Sequence, residues 1–193
     1  MSADDLIAGL AERLQETQED ANLEGWAMAA VLVPLVKHQG EWRLVFTRRS
    51  EDLTHHAGEI SFPGGRIDEG ETPAQAAVRE THEELAVPPQ TVELIGRLPS
   101  VPTRVSGYLI EPWVGLIESN EFDPNPAEIA EVIEISLETI TGPGVERVQK
   151  FIRGGGVYES FAYDIGPNII WGATGRIVRN LIELLPEPKQ VIS

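Results

Sequence analysis

Residues 65–87 read GRIDEGETPAQAAVRETHEELAV. Thr72 suits an N-cap, Pro73 the first helical position, and Gln75 completes a Thr-x-x-Gln capping box, so the segment predicts a helix from about Pro73 to Leu85. Pro88 and Pro89 are expected to stop it. At about 100° per residue on a helical wheel, Glu80, Glu83 and Glu84 share one arc roughly 100° wide. Ala74, Val78, Thr81 and Leu85 cluster on the far side, which is expected to pack on a sheet. The helix is then anchored by one face and carries three carboxylates toward solvent or a cleft on the other.

Such a face reads either as a solvated acidic surface or as a cation site. When exposed, like charges one turn apart cost only about 0.2–0.5 kcal/mol per pair, which permits the first reading. At about 6 Å and an effective dielectric near 20 the Coulomb cost approaches ~3 kcal/mol, so in a cleft the same carboxylates demand a cation. Ionised carboxylates are hard oxygen ligands that suit Mg2+ or Mn2+. Those ions polarise a phosphoryl oxygen, orient water and stabilise a leaving group, which is the equipment of phosphoanhydride hydrolysis. Just upstream, Gly64 and Gly65 permit close backbone approach to a ligand. Arg79 lies one turn before Glu83 and can hold that carboxylate by an i, i+4 ion pair.

On either side of this segment the pattern alternates between helix and strand. Leu6, Ile7, Leu10 and Leu14 predict an N-terminal helix over about residues 4–18, with Asp4 as a possible N-cap. Trp26–Val36 and Glu41–Arg49 flank His38-Gln39-Gly40 and read as a hairpin, with Pro34 expected to end or bulge the first strand. TVELIGRL, YLIEPWVGLI, AEVIEIS and VYESFAYDI are further strand-like runs, and Trp171–Leu185 reads as a closing helix. The 193 residues fit a single domain, an α/β sandwich of layers around a mixed sheet.

Composition narrows the chemistry. Hydrophobic residues at 41% and charged residues at 24% are ordinary for a globular chain. With no cysteine present, disulfides, thiolate metal sites and a cysteine nucleophile are excluded. Fifteen Lys and Arg against thirty-one Asp and Glu give a formal net charge of −16, which argues against nucleic acid as a partner. A polyanionic substrate would have to meet its positive charge locally, from a few arginines and bound cations. The acidic N-terminus lacks the features of a signal peptide and no run is apolar enough for a membrane span, so a cytoplasmic protein with no membrane partner is expected.

Taken together, Gly65, Glu71, Arg79-Glu80 and Glu83-Glu84 at these offsets resemble the Nudix box. That resemblance implies an α/β/α sandwich whose loop and helix bind Mg2+ or Mn2+ for attack of water on a nucleoside diphosphate linked to another group. It implies Glu80 and Glu84 as principal metal ligands and Glu83 as a further ligand or the group activating water. Arg79 would orient a glutamate and Glu71 would support the loop. The general base stays open, with Glu121, Asp123, Glu128 and Glu131 as candidates from a later loop. Thr81 stands where the family has an aliphatic residue and Ala86 where it has glycine.

The stretch LVFTRRSEDLTHHAGEISFPGG, residues 44–65, resembles the additional motif of the coenzyme A pyrophosphatase branch, with Thr54 in place of an arginine. Asn125-Pro126 with Glu128 and Glu131, and the WGATGRI run, resemble later parts of the same branch. The branch implies hydrolysis of coenzyme A or its derivatives to adenosine 3′,5′-bisphosphate and 4′-phosphopantetheine. Arg48, Arg49, Arg66 and Arg104 are then candidates for the substrate phosphates, because guanidinium forks suit phosphate; each reads equally as a surface ion pair. Gly64 and Gly65 are assigned to substrate binding, and His55 and His56 read as phosphate donors or as exposed loop residues. ADP-ribose, dinucleotides and nucleoside triphosphates are the alternative substrates, and a non-catalytic nucleotide sensor is the alternative class.

Overall fold

The computed structural model describes residues 3–16, 25–51, 57–103, 107–118, 121–153 and 156–186. Thr54, His55, His56 and Arg104 lie outside the described residues. The chain opens with helix α1 (Ala3–Glu16), whose Ile7, Leu10 and Leu14 are buried as its periodicity requires. Asp4 is not the N-cap: it sits inside the first turn, and its carboxylate accepts from Lys37 Nζ at 2.7 Å.

Strands β1 (Ala27–His38) and β2 (Glu41–Arg49) form the expected hairpin. Its two-residue turn is Gln39-Gly40, both at positive φ (52° and 87°), which suits the right-handed twist of the strands. The hairpin stays zipped only from Leu35↔Leu44 to His38↔Glu41. Beyond that point the two strands fork, and short β3 (Ile60–Ser61) and β4 (Gly64–Arg66) fill the fork, β3 along β2 and β4 along β1. Pro34 does not end β1. The Leu32 amide donates to Pro63 O at 2.9 Å, and by strand alternation residue 34 faces the same way. Its missing donor falls at the fork, where no ladder bond is required.

Next come helix α2 (Pro73–Leu85), a 3-10 turn (Pro89–Thr91), β5 (Val92–Arg97), β6 (Val101–Thr103) and β7 (Tyr108–Ile117). β7 runs parallel to β1 from Ala27↔Tyr108 to Val36↔Ile117, while β5 and β6 lie antiparallel on β7. β8 (Ile129–Ser136) pairs with β2 and completes an eight-stranded mixed sheet. A short helix α3 (Leu137–Ile140) leads to β9 (Glu146–Arg153), β10 (Gly156–Ile165) and β11 (Asn168–Ile170), and α4 (Gly172–Leu184) closes the chain. The VYESFAYDI run is a strand as expected, but β9, β10 and β11 form a separate antiparallel sheet.

Two apolar clusters divide the molecule into layers. On one face of the large sheet, Ala76, Ala77 and Leu85 of α2 pack with Ala30, Leu32, Val36, Val45 and Ile117. On the other, α1 and α4 join Val33, Leu35, Leu44 and Phe46 together with Phe161, Tyr163 and Ile170 of the small sheet. This is the expected α/β/α sandwich with the small sheet added to one outer layer. Burial of each Val, Leu, Ile or Phe side chain among them contributes about 1.5–3 kcal/mol.

Helix α2 keeps its expected bounds, with both halves of the Thr72–Gln75 capping box formed. Two details depart from expectation. Ala74 and Val78 are only half-buried, and the packed side is set by Ala76, Ala77, Thr81, Glu84 and Leu85. The helix is stopped not by Pro88 and Pro89 but by Ala86, which adopts the left-handed conformation (φ 56°) while its N–H donates to His82 O. Alanine pays a steric penalty there that glycine does not. Ala86→Gly is expected to raise stability by about 0.5–1 kcal/mol after the loss from a more flexible unfolded chain. The readout is a higher urea midpoint at unchanged slope; an unmoved midpoint would mean the neighbours already absorb the strain.

Candidate active site

The site is built where α2 crosses the strand carrying Gly64 and Gly65. Gly64 sits at φ +153°, and a Cβ there would lie 2.3 Å from Ala30 O and 2.6 Å from Val31 Cα, so the strand can approach β1 only as glycine. A Cβ on Gly65 would meet the Glu80 carboxylate at about 2.5 Å. Gly65→Ala is therefore expected to leave the fold intact, because a carboxylate is the mobile end of a side chain, while displacing Glu80. Turnover should fall about tenfold or more; unchanged turnover with an unchanged melting point would remove Glu80 from the site.

Arg79 is the hub of the charge network. Its Nε and Nη2 donate to the two oxygens of Glu71 at 2.9 and 3.0 Å. Nη1 donates to Glu80 Oε1 at 2.9 Å and to Glu83 Oε2 at 3.2 Å, and Nη2 also donates to Arg66 O at 3.0 Å. The expected Arg79–Glu83 pair is present, but it is one of five hydrogen bonds from this guanidinium. The fork–fork pairing with Glu71 ties the loop after β4 to the helix, and the Asp68 amide adds a bond to Glu71 Oε2 at 3.2 Å. Hydrogen bonding from Arg79 holds the Glu71 carboxyl below its ordinary pKa, and Glu71 raises that of Arg79.

The three glutamates of the box are not equivalent. Glu83 is 54% exposed on the outer side of α2, whereas Glu84 is 3% exposed against the sheet. Glu80 lies between, in Arg79's grasp. The shared face read from the helical wheel is thus split, with Glu80 and Glu84 turned inward and Glu83 outward. Thr81, where an aliphatic residue is usual, is wholly buried and satisfies its hydroxyl on Ala77 O at 2.7 Å.

Glu84 is the anomaly. Its Oε2 is buried without a hydrogen-bond partner, and its other oxygen lies 3.9 Å from Arg49 Nη1, an ion pair too long for a hydrogen bond. Burial pushes its carboxyl up to about 8, against the pull of Arg49 and a backbone hydrogen bond from Gly64; the charges of Glu80 and Glu128 push the same way as burial. Burial likewise raises Glu80. A buried carboxyl with an unused oxygen, beside a second raised carboxyl, suits a divalent cation, which would satisfy that oxygen and favour the ionised form. Among the described residues no three acidic or imidazole side chains already converge as ligands. Glu80 and Glu83 instead both accept from Arg79.

The remaining candidates divide by sheet face. Arg49 joins the site through Glu84. Arg48 points to the opposite face, where Nε donates to Glu131 at 2.9 Å and Nη2 to Asn168 Oδ1 at 2.5 Å, so much of its fork is already engaged. Arg66 is exposed, its guanidinium 5.4 Å from the Tyr108 ring centroid. Of the four acidic residues considered as a base, Glu131 is held by Arg48, and Glu128 is the one whose charge is felt by both Glu80 and Glu84. Nothing in the local sequence separates these four; the backbone pairing of residues 123–125 with the end of α2 does.

A family model described as the NUDIX domain matches residues 26–154. A protein of Pectobacterium atrosepticum described as an uncharacterized Nudix hydrolase NudL is 40% identical over 161 residues, spanning 79% of this chain and 80% of the relative. Its counterpart in Escherichia coli (strain K12 / DH10B) is 36% identical over 155 residues with the same coverage. Among solved structures, a MutT/nudix family protein from Enterococcus faecalis superposes with a TM-score of 0.59 at 15% identity, over 95% of this chain and 69% of that one, a likeness of fold. The length of the family match and the identity to these relatives agree with the box on α2: the chain belongs to the Nudix family and is a hydrolase of its pyrophosphatase kind.

Proposed function

We propose that the chain hydrolyses the phosphoanhydride bond of coenzyme A or its derivatives, giving adenosine 3′,5′-bisphosphate and 4′-phosphopantetheine. Nudix hydrolases generally use divalent metals, and the residues here suit Mg2+ or Mn2+ on one observation above the others: the buried, unpartnered oxygen of Glu84 beside Glu80. Glu80 and Glu84 would hold the ion, with Glu83 free to join them if Arg79 releases it. When bound, such an ion neutralises phosphate charge and acidifies water.

The chain's own residues do the rest. Gly64 lets the strand close on β1, and Gly65 leaves room for the Glu80 carboxylate beside it; their assignment to substrate binding rests on the motif alone. Arg79, anchored on Glu71, fixes the glutamates, and Arg49 beside Glu84 and the exposed Arg66 offer the substrate local positive charge; Arg48 is engaged by Glu131 and Asn168 on the opposite face of the sheet. The oxygen of water bonds to phosphorus as the bridging P–O bond breaks, and the water's proton passes to a carboxylate, for which Glu128 and Glu83 are the candidates. The coenzyme A assignment rests on the resemblance of residues 44–65 to that branch's motif; in support of it, Arg49 of this stretch lies beside Glu84 and Gly65 beside Glu80.

Chromatography after incubation with Mg2+ or Mn2+ tests the reading against coenzyme A, ADP-ribose, dinucleotides and nucleoside triphosphates. Adenosine 3′,5′-bisphosphate formed from coenzyme A in preference to cleavage of the others is the expected result. Cleavage of another substrate with coenzyme A left intact would discard it.

A further inference from the structure

Arg66 follows Gly65 on β4, and successive positions of a strand face opposite sides of the sheet. Gly65 faces the Glu80 carboxylate, so the Arg66 side chain leaves on the other side, away from the inward-turned glutamates. Its main chain stays tied to the site, because its carbonyl accepts from Arg79 Nη2 at 3.0 Å. Arg48, Arg79, Arg147 and Arg179 each hold a carboxylate at 2.9 or 3.0 Å. Among the described residues Arg66 holds none, although the chain carries a net charge of −16. Its exposed guanidinium lies instead over the Tyr108 ring, 5.4 Å from the centroid. The intervening strand makes that reach possible. β1 runs between β4 and β7 with Ala29 opposite Arg66 and Ala27 opposite Tyr108, so two methyl groups form the floor over which the long side chains meet. Tyr108 is itself fixed: its N–H donates to Thr103 Oγ1 at 2.9 Å, and its carbonyl accepts from that hydroxyl at 2.8 Å.

We propose that Arg66 and Tyr108 form a subsite for a substrate phosphate outside the diphosphate, the 3′-phosphate of coenzyme A, with Tyr108 the positioning residue that holds the guanidinium across β1. The face decides which phosphate is met. A diphosphate at the Glu80–Glu84 pair would lie on the α2 side of the sheet, whereas Arg66 presents its charge from the other side at the end of the same three-residue strand. Stacking on an aromatic ring occupies the flat face of a guanidinium and leaves its N–H edge to donate. That edge suits a terminal phosphate, which can accept two parallel bonds from it. The inference rests on the coenzyme A reading of the substrate and names the part of the chain that would recognise its additional phosphate.

The test uses adenosine 3′,5′-bisphosphate and adenosine 5′-monophosphate, which differ only in the 3′-phosphate and lack the bond that the proposed reaction cuts. Calorimetric titration of the full-length protein with Mg2+ present is expected to show the bisphosphate bound about tenfold or more tighter, the scale of hydrogen bonds to a charged group. Arg66→Met alters an exposed side chain and should abolish that preference. Tyr108→Leu should reduce it about fivefold, the scale of a solvent-exposed cation–π contact; Tyr108→Phe keeps the ring and should retain it. In the Arg66→Met background Tyr108→Leu should cost nothing further. Equal binding of the two probes by the wild-type protein overturns the inference, as does a preference that survives Arg66→Met. A loss from Tyr108→Leu that is undiminished in the Arg66→Met background, or no loss at all, removes Tyr108 from the subsite. Failure of the substrate reading looks different: a protein that leaves coenzyme A intact but shows the Arg66-dependent preference keeps the subsite and loses the reaction. One that cleaves coenzyme A and binds both probes equally keeps the reaction and loses the subsite.

Discussion

Glu84→Gln is expected to lower turnover by roughly 10³-fold, the cost of removing a principal electrostatic group from a reaction centre, while making the metal-free protein more stable above neutral pH. The two effects have one cause. Glu84 is buried with an oxygen unpartnered, and its pKa is pushed up to about 8 in the folded chain against an ordinary 4.5. Between those values the folded state holds a proton that the unfolded state has released, so stability falls as pH rises from about 4.5 to 8, by up to about 1.4 kcal/mol per pH unit from this group. Glu80, also raised, adds a slope of the same sign, and Glu71, lowered, contributes stability that is lost only as the solution is acidified. Glutamine has no charge to bury, although its amide must find partners. The net gain in EDTA at pH 8 should be on the order of 1–3 kcal/mol. Urea midpoints of both proteins at pH 5 and pH 8 would measure it; a variant less stable than wild type at pH 8 would contradict the account of Glu84. Unchanged turnover would remove Glu84 from the metal site.

The local features of this molecule were legible because short-range chemistry decides them. Thr72, Pro73 and Gln75 determine where α2 begins, and its observed bounds, Pro73–Leu85, follow. The Tyr108–Ile117 run is a strand over its whole quoted length. What failed was the rotation of α2 about its axis. On the wheel Glu84 lies between Glu80 and Thr81, about 40° from one and about 60° from the other, and only the position of the sheet decides whether it joins the packed side. Glu128 was one of four equivalent acids until the residue 123–125 backbone met the end of α2. Strands β3 and β4, of two and three residues, are too short to carry a period, and the Pro34 fork that admits them is a matter of tertiary pairing.

Arg79 carries the second large expectation, because its role also became visible only in three dimensions. From the sequence it was one i, i+4 partner of Glu83; in the fold it bridges Glu71, Glu80, Glu83 and the Arg66 carbonyl. Arg79→Lys keeps the charge and so isolates the geometry. A lysine ammonium is a point donor on a flexible stem and cannot span a two-oxygen fork together with a carbonyl and two further carboxylates. Glu80 and Glu83 would then be free to repel one another and to leave the strand at Gly65. Turnover is expected to fall about 10²-fold, the cost of a misplacement near 1 Å at a reacting centre, with a larger effect on kcat than on KM because the residue is not assigned to substrate. Glu71→Gln should cost much less in the Arg79→Lys background than in wild type, since the fork it completes no longer exists. Full additivity of the two losses would show that Glu71 serves the site by some route other than Arg79, and a lysine variant with wild-type kcat would show that charge alone, rather than the guanidinium fork, organises the glutamates.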